Sequence, residues 1–360
     1  MTKAETTGLL IIGSSQAGVQ LAISLRALGY ESHITLLGDE NHRPYQRPAL
    51  SKEYLQGKYD KERLIFRSQD YWDDHNISVV KNSRIASIDS NPDGSGIATS
   101  TDGTTYQFER VALAVGARAR KLDIPGSDAE GIIYLRNADD ALKLRASLDS
   151  VTDVVVIGGG FIGLEAACSF HGMGMNVTVV ERGPRLVGRA VGEETADYFL
   201  HAHTNRGLNI KLDTGVNEIR EENGRVTGVV LDSGEEIPAQ IVLVGIGVIP
   251  NTELAADMGL EINNGIVVDR YALASDGTTI AIGDVANIPN PLESLFPDSR
   301  VRIERVASNS VVYSYRLVNP PCRPARRPPR YLSTQLLHIL ERTPTMASAP
   351  NHIDPTGYLD

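Results

Sequence analysis

Apolar residues along this chain fall into short runs that recur in one order. Gly8-Leu9-Leu10-Ile11-Ile12-Gly13 is an unbroken apolar stretch, the pattern of a strand buried on both faces. Val19, Ile23, Ala27 and Leu28, with Ala22 beside them, follow at helical spacing. His33–Leu37 is again strand-like and stops at Gly38-Asp39. This predicts strand, glycine turn, helix, strand: a βαβ unit. The order returns at Asp153–Glu181, with VVVIG as strand, GGGFIG as turn, Leu164–Met173 as helix and NVTVVE as the next strand. One supersecondary device used twice predicts two nucleotide-binding domains in one chain.

Between the units, Pro44–Ser51 is a proline-punctuated loop, and Ile85–Val115 reads as short strands with turns at Asn91–Gly94 and Asp102-Gly103. After the second unit the pattern predicts a helix over Glu193–Arg206, strands at Arg225–Leu231 and Ile241–Val244, and a glycine-rich turn at Gly245–Asn251. A last short strand is expected over Ile280–Val285, ending at Gly283-Asp284. From about Ser310 the character changes. Residues 316–331, RLVNPPCRPARRPPRY, hold five prolines, five arginines and no acid, which rules out a helix interior or a central strand. We expect 316–360 to be mostly disordered, its one helical pattern being Ser333–Arg342.

Composition narrows the classes. The chain has 360 residues, 22% charged and 41% hydrophobic, with a formal net charge of −10. That balance argues against a nucleic-acid binder and against an anionic-membrane binder. Two cysteines, Cys168 and Cys322, exclude a disulfide scaffold, a CxxC redox pair and a cysteine-rich metal site. No metal is expected. No apolar run approaches the roughly 20 residues that span a bilayer. The first strand begins too early to leave room for a signal peptide, so the cytoplasm is the expected compartment.

The glycines carry the chemistry. Gly158, Gly160 and Gly163 form a complete G-x-G-x-x-G. The first glycine allows the tight turn, the second lets a pyrophosphate approach the helix N-terminus, and the third allows close helix–strand packing. Glu181 stands 18 residues after Gly163 at a strand end. A carboxylate there accepts hydrogen bonds from a ribose 2′-OH and repels a 2′-phosphate, favouring NADH over NADPH, although Arg182 beside it could hold such a phosphate. The first turn is Gly13-Ser14-Ser15-Gln16-Ala17-Gly18, with serine at the middle glycine position and Asp39 21 residues past Gly18. Serine adds a Cβ, and its hydroxyl could bond a phosphate, so weakened or adjusted binding is expected rather than loss. Cys168 reads as a packed small residue in the second helix, and His201 and His203 as surface residues that share no face.

These features, with PYQRPALSKEYL (44–55), YLR (134–136), VGIGVIPN (244–251), NGIVVD (264–269), AIGD (281–284) and VRIE (301–304), resemble the FAD-dependent NADH:ferredoxin reductases that serve oxygenases and cytochromes P450. The resemblance runs in order from about residue 8 to about residue 309. It implies an α/β chain with two Rossmann-like dinucleotide-binding domains, of the pyridine nucleotide-disulfide oxidoreductase type without a redox disulfide. An FAD domain would be built from 1–115 and 245–315, and an NAD domain from 116–244. By motif matching, FAD would touch Gly13, Ala17, Gly18, Asp39, Arg47, Lys52, Ile85, Arg136, Asp284 and Val306. NADH would touch Gly160, Ile162, Glu181 and Gly247, with Gly158 and Gly163 shaping the turn. Lys52 and Glu165 would form an ion pair near the flavin, and Asp284 would hold the ribityl chain. The implied reaction takes a hydride from NADH and passes electrons singly to a ferredoxin-type iron–sulfur protein. Alternatives are a flavoprotein reducing a quinone or small acceptor, and a catalytically impaired nucleotide-binding remnant.

The chain departs from the family pattern at three places. Ser15 replaces a glycine, and Ala114-Val115-Gly116 stands where the family has Ala-Thr-Gly. The third concerns the C-terminal domain, which in the family carries a Trp-x-Trp-Ser stretch over the flavin. The only tryptophan here is Trp72, and after VRIERVASN the Pro/Arg-rich tail begins. We therefore expect a frameshift or unrelated fusion near 305–312, with weakened FAD retention, an oxygen-reactive flavin and poor ferredoxin coupling.

Overall fold

The computed structural model describes residues 5–289. Val306, the segment 290–315 of the expected first domain, and the tail 316–360 lie outside the described residues. The chain opens with β1 (Glu5–Ile12), α1 (Gln16–Ala27) and β2 (Ile34–Leu37). Two short helices follow, α2 (Lys61–Leu64) and α3 (Gln69–Asp74), then β3 (Ile77–Val80). The strands β4 (Ile85–Ser90), β5 (Gly96–Ser100) and β6 (Thr105–Leu113) complete the first half. They form one sheet in the order β3-β2-β1-β6-β5-β4. Its β3-β2-β1-β6 part is parallel, and β4 and β5 are antiparallel.

Burial explains why the central strands read as continuous apolar runs. Leu10 and Ile12 of β1 pack with Phe108 and Leu113 on one face of the sheet, while Leu9 and Ile11 pack with α1 and Trp72 on the other. A strand covered on both faces has no solvent side on which polar residues could alternate. The face that α1 buries differs from the expected one. Val19, Leu21, Ala22 and Leu25 are buried, whereas Ile23 is only half-buried and Ala27 is exposed. The strands and Tyr30 close over the Leu21/Leu25 side, and spacing alone does not choose between neighbouring apolar stripes.

The second half begins with β7 (Ala117–Ala119), β8 (Ile132–Ile133) and α4 (Ala138–Ala146). The second βαβ unit is β9 (Asp153–Ile157), α5 (Phe161–Gly172) and β10 (Asn176–Val180). Then come α6 (Glu193–Thr204), β11 (Asn209–Lys211), the meander β12 (Val216–Glu222), β13 (Arg225–Leu231) and β14 (Glu236–Pro238), and β15 (Ile241–Val244). The parallel sheet here has the order β11-β10-β9-β15-β8. Val154 and Val156 face α5, and Val155 and Ile157 face the meander.

The chain returns through β16 (Val248–Pro250), α7 (Glu253–Asp257), β17 (Ile266–Val267), β18 (Ile280–Ala281) and β19 (Ala286–Asn287). β18 pairs with the end of β6, so the first sheet draws strands from two separated stretches of chain. β16 runs antiparallel to β7, so the crossing out of the first sheet and the crossing back lie side by side. β18 is shorter than the strand expected over Ile280–Val285. It stops at Ala281, and Gly283–Val285 forms a 3-10 turn instead, with Gly283 at φ +75°. No helix among the described residues is long and apolar enough to cross a membrane.

Candidate active site

The two βαβ units coincide in hydrogen-bond register. Gly13 N donates to Leu37 O and Gly158 N to Val180 O, both at 2.8 Å. Gly13 (φ +119°) and Gly158 (φ +110°) lie in backbone conformations that side chains strain to adopt. A Cβ would sit 2.2 Å from Ala114 O at Gly13 and 2.4 Å from Gly245 O at Gly158. Gly18 and Gly163 occupy the third positions, where a Cβ would fall 2.0 Å from Gly13 O and 2.2 Å from Gly158 O. Both α1 and α5 start without a side-chain cap, so their first amides stay available to an anion.

A cleft of about 1310 Å³ opens at the C-terminal ends of β1, β6 and β18. This is where open parallel sheets bind ligands, and it is larger than the roughly 300–1,000 Å³ of ordinary small-molecule pockets. Gly13, Ala17, Asp39, Arg47, Lys52, Ile85, Arg136 and Asp284 line it, together with Ile162 and Glu165 from α5. Gly18 is buried beneath the turn and does not line the cleft. Gly158, Gly160, Gly163, Glu181 and Gly247 belong instead to the turns of the second sheet. The first turns of α5 therefore serve both places: Gly160 caps the helix in the second unit, while Ile162 and Glu165 form a wall of the first unit's cleft.

Charged side chains in the cleft are tied to one another. Arg136 Nη2 donates to Asp284 Oδ2 at 2.8 Å. Lys52 Nζ lies 2.9 Å from Glu165 Oε1, and Ser51 Oγ donates to Glu165 Oε2 at 2.8 Å. Arg47 donates to Ser15 Oγ, Arg136 O and Glu40 Oε1 at 2.8, 2.7 and 2.5 Å. Gln16 Oε1 is buried with no protein partner. Gly13's cradle and the open amides of α1 together fit a long, phosphate-bearing dinucleotide such as FAD.

The acids at the two strand ends are not equivalent. Gly38 N donates to Val80 O and Glu181 N to Lys211 O, which makes Gly38, and not Asp39, the counterpart of Glu181. A Cβ on Gly38 would meet Ser14 Oγ at 2.1 Å, so the first acid stands one residue later, exposed on the cleft wall. Glu181 is held more firmly. Its Oε2 accepts from Gly159 N at 2.6 Å and its Oε1 from Gly183 N at 2.7 Å.

Several residues here were invisible to sequence reasoning. Tyr45 OH donates to Glu40 Oε2 at 2.6 Å and accepts from Ala138 N at 2.8 Å, and burial pushes its phenol well above the usual range. The Asn137/Asp140 capping box starts α4 directly after Arg136, and Asp140 Oδ2 also accepts from Arg136 N at 2.9 Å. The Asn-x-x-Asp pattern before an apolar run was the available signal.

Behind the Lys52–Glu165 pair lies a side cavity of about 480 Å³ that also touches Phe161, Cys168 and His203. His203 is buried, against the surface position expected, because Phe199 stacks on its ring and Cys168 Sγ lies 3.4 Å from its Nδ1. Burial pushes the Cys168 thiol up and the His203 imidazole down, so both are neutral at pH 7. Cys168 should therefore alkylate with iodoacetamide more slowly than a free cysteine, as peptide mapping by mass spectrometry would show. Labelling at the free-thiol rate would contradict this environment. Among the described residues no cluster of His, Cys, Asp and Glu could hold a metal ion.

Comparison with known proteins fits this geometry. The family model described as pyridine nucleotide-disulphide oxidoreductase matches residues 7–309. Rhodocoxin reductase of Rhodococcus erythropolis is 45% identical over 283 residues, 79% of this chain and 66% of that protein. Rubredoxin-NAD(+) reductase of Pseudomonas putida is 39% identical over 328 residues, 90% of this chain and 83% of that one. That second match covers more of the chain than residues 8–309 comprise, so the likeness runs past the point where the motifs alone ended it. Among solved structures, a ferredoxin reductase from Rhodopseudomonas palustris superposes with a TM-score of 0.75 at 41% identity, over 80% of this chain and 70% of that one. A covalent putidaredoxin reductase–putidaredoxin complex gives 0.76 at 33% identity, over 86% and 73%.

Proposed function

Because the chain belongs to the pyridine nucleotide-disulphide oxidoreductase family, we propose that it is an FAD-dependent oxidoreductase that oxidises NADH and passes electrons singly to a ferredoxin-type iron–sulfur protein. The observation that carries this reading is the double use of α5. A nicotinamide nucleotide anchored at Gly160 reaches, along the first turns of that helix, the wall of the other unit's cleft at Ile162 and Glu165. When bound there, FAD supplies the step that converts a two-electron donor into single-electron transfers.

This chain's residues do the rest. The first amides of α1 and Arg47 receive the FAD pyrophosphate, Asp39 the adenosine ribose, and Ile85 packs beside them. Arg136 fixes Asp284 for the ribityl chain. Lys52 and Ser51 hold both oxygens of Glu165, so its carboxylate keeps one orientation in the wall that meets the nicotinamide. Glu181 accepts from the NADH ribose and disfavours a 2′-phosphate, and Gly247 leaves the opposite side of the second turn open. In this reading 1–115 and 245–315 form the FAD domain and 116–244 the NAD domain. The iron–sulfur partner is drawn from the reductases this chain resembles, whose names specify rhodocoxin, rubredoxin and putidaredoxin.

The test uses purified protein supplemented with FAD. A bound flavin spectrum, anaerobic bleaching by NADH, and cytochrome c reduction that depends on an added ferredoxin are the expected results. Equal turnover with a quinone and no ferredoxin would overturn the partner assignment. No flavin uptake would overturn the cofactor assignment.

A further inference from the structure

We propose that Ser15 is a positioning residue for Arg47, and that this chain holds the FAD pyrophosphate more tightly with serine at that point than it would with the glycine of the G-x-G-x-x-G pattern. The inference rests on the reading that FAD occupies the first cleft.

The backbone does not require glycine at the middle position. Ser15 has φ −101° and ψ −161°, extended backbone that any residue adopts. Its counterpart Gly160 has φ −79° and ψ 175°, and a Cβ there would meet nothing within 4 Å. The middle position thus differs from Gly13 and Gly158, where neighbouring carbonyls exclude a side chain. Whatever Ser15 costs or contributes is decided by its side chain and the ligand.

That side chain is not spent on capping α1. Its Oγ accepts from Arg47 Nε at 2.8 Å. Arg47 is thereby fixed to three separate segments: Ser15 after β1, Glu40 after β2, and the Arg136 carbonyl before α4. A guanidinium has five N–H donors, so two remain for a ligand. The turn then offers phosphate oxygens the helix amides and a pre-aimed guanidinium. Ser14 does not share this role, since its Oγ packs where a side chain on Gly38 would lie. Pre-ordering a long side chain before the ligand arrives removes part of the entropy that binding would otherwise cost.

The experiment titrates FAD into flavin-stripped protein and reads the quenching of flavin fluorescence. Ser15→Gly and Ser15→Ala should each raise the FAD dissociation constant by roughly three- to tenfold, the range of one ordinary net hydrogen bond. In an Arg47→Met background the same two substitutions should change it by less than about twofold, because the positioned group is gone. Thermal melts of the stripped variants should match the parent, which separates positioning from folding. If Ser15→Gly binds FAD as tightly as the parent or more tightly, the inference is overturned while the FAD reading stands. The same holds if the losses are undiminished beside Arg47→Met. A parent chain that takes up no FAD would overturn that reading and this inference together.

Discussion

Gly158→Ala is expected to destabilise the protein by about 2–6 kcal/mol, while Gly160→Ala, two residues on, leaves the fold nearly intact and weakens NADH binding. The first change puts a Cβ 2.4 Å from Gly245 O on a backbone at φ +110°. Strain at such a residue costs about 1–3 kcal/mol, and forcing the neighbouring carbonyl aside costs about 1–3 kcal/mol more. Against a total stability of about 5–15 kcal/mol, that lowers the melting temperature by on the order of 10 °C. The Gly160 change meets no protein atom within 4 Å, and losing glycine at an N-cap costs about 1 kcal/mol. Its methyl stands where the pyrophosphate must approach the helix amides, so KM for NADH should rise at least about tenfold. Thermal melts and NADH titrations on both variants check this. Equal melting temperatures for the two, or unchanged NADH affinity in Gly160→Ala, would show that the glycines do not divide the work in this way.

Glu181→Ala should lower the NADH-to-NADPH ratio of kcat/KM by about tenfold or more. Two effects act together: the ribose loses a charged acceptor, worth about 1.5–3 kcal/mol, and the repulsion of a 2′-phosphate disappears. Exposed Arg182 is then free to attract that phosphate, so adding Arg182→Ala should reduce the gain in NADPH use while the loss of NADH use remains. Because Glu181 also accepts from the Gly159 and Gly183 amides, a drop of about 1–3 kcal/mol in stability should accompany the change. Steady-state kinetics with both coenzymes decides it. An unchanged ratio would mean that Glu181 serves only those two amides.

The separate duties of these residues show which parts of the site could be read from the chain. Glycines at the first and third positions have no substitute, because a carbonyl fills the space a Cβ would need. Their spacing in the sequence is therefore a direct imprint of backbone geometry, and both βαβ units were legible from it. The middle position carries no such imprint. Ser15 looked like a weakened glycine until Arg47, far along the chain, was seen to donate to it. Asp39 and Glu181 both read as acids at strand ends, but the strand register makes Gly38 the counterpart of Glu181, and Ser14 leaves no room there for a side chain.

What the sequence determined by itself is the local machinery. Buried parallel strands need unbroken apolar runs, and tight turns need glycine, so two nucleotide-binding units and their phosphate-facing turns follow from neighbours in the chain. The tertiary structure alone decided which stripe of α1 is covered, that His203 is buried against Phe199 and Cys168, and that Gly283–Val285 turns where a strand was expected. It alone joined Arg47 to Glu40 and Ser15. The physical reason is range. Turn and strand preferences act between adjacent residues, whereas burial and ion pairing depend on which distant segments the sheets bring together.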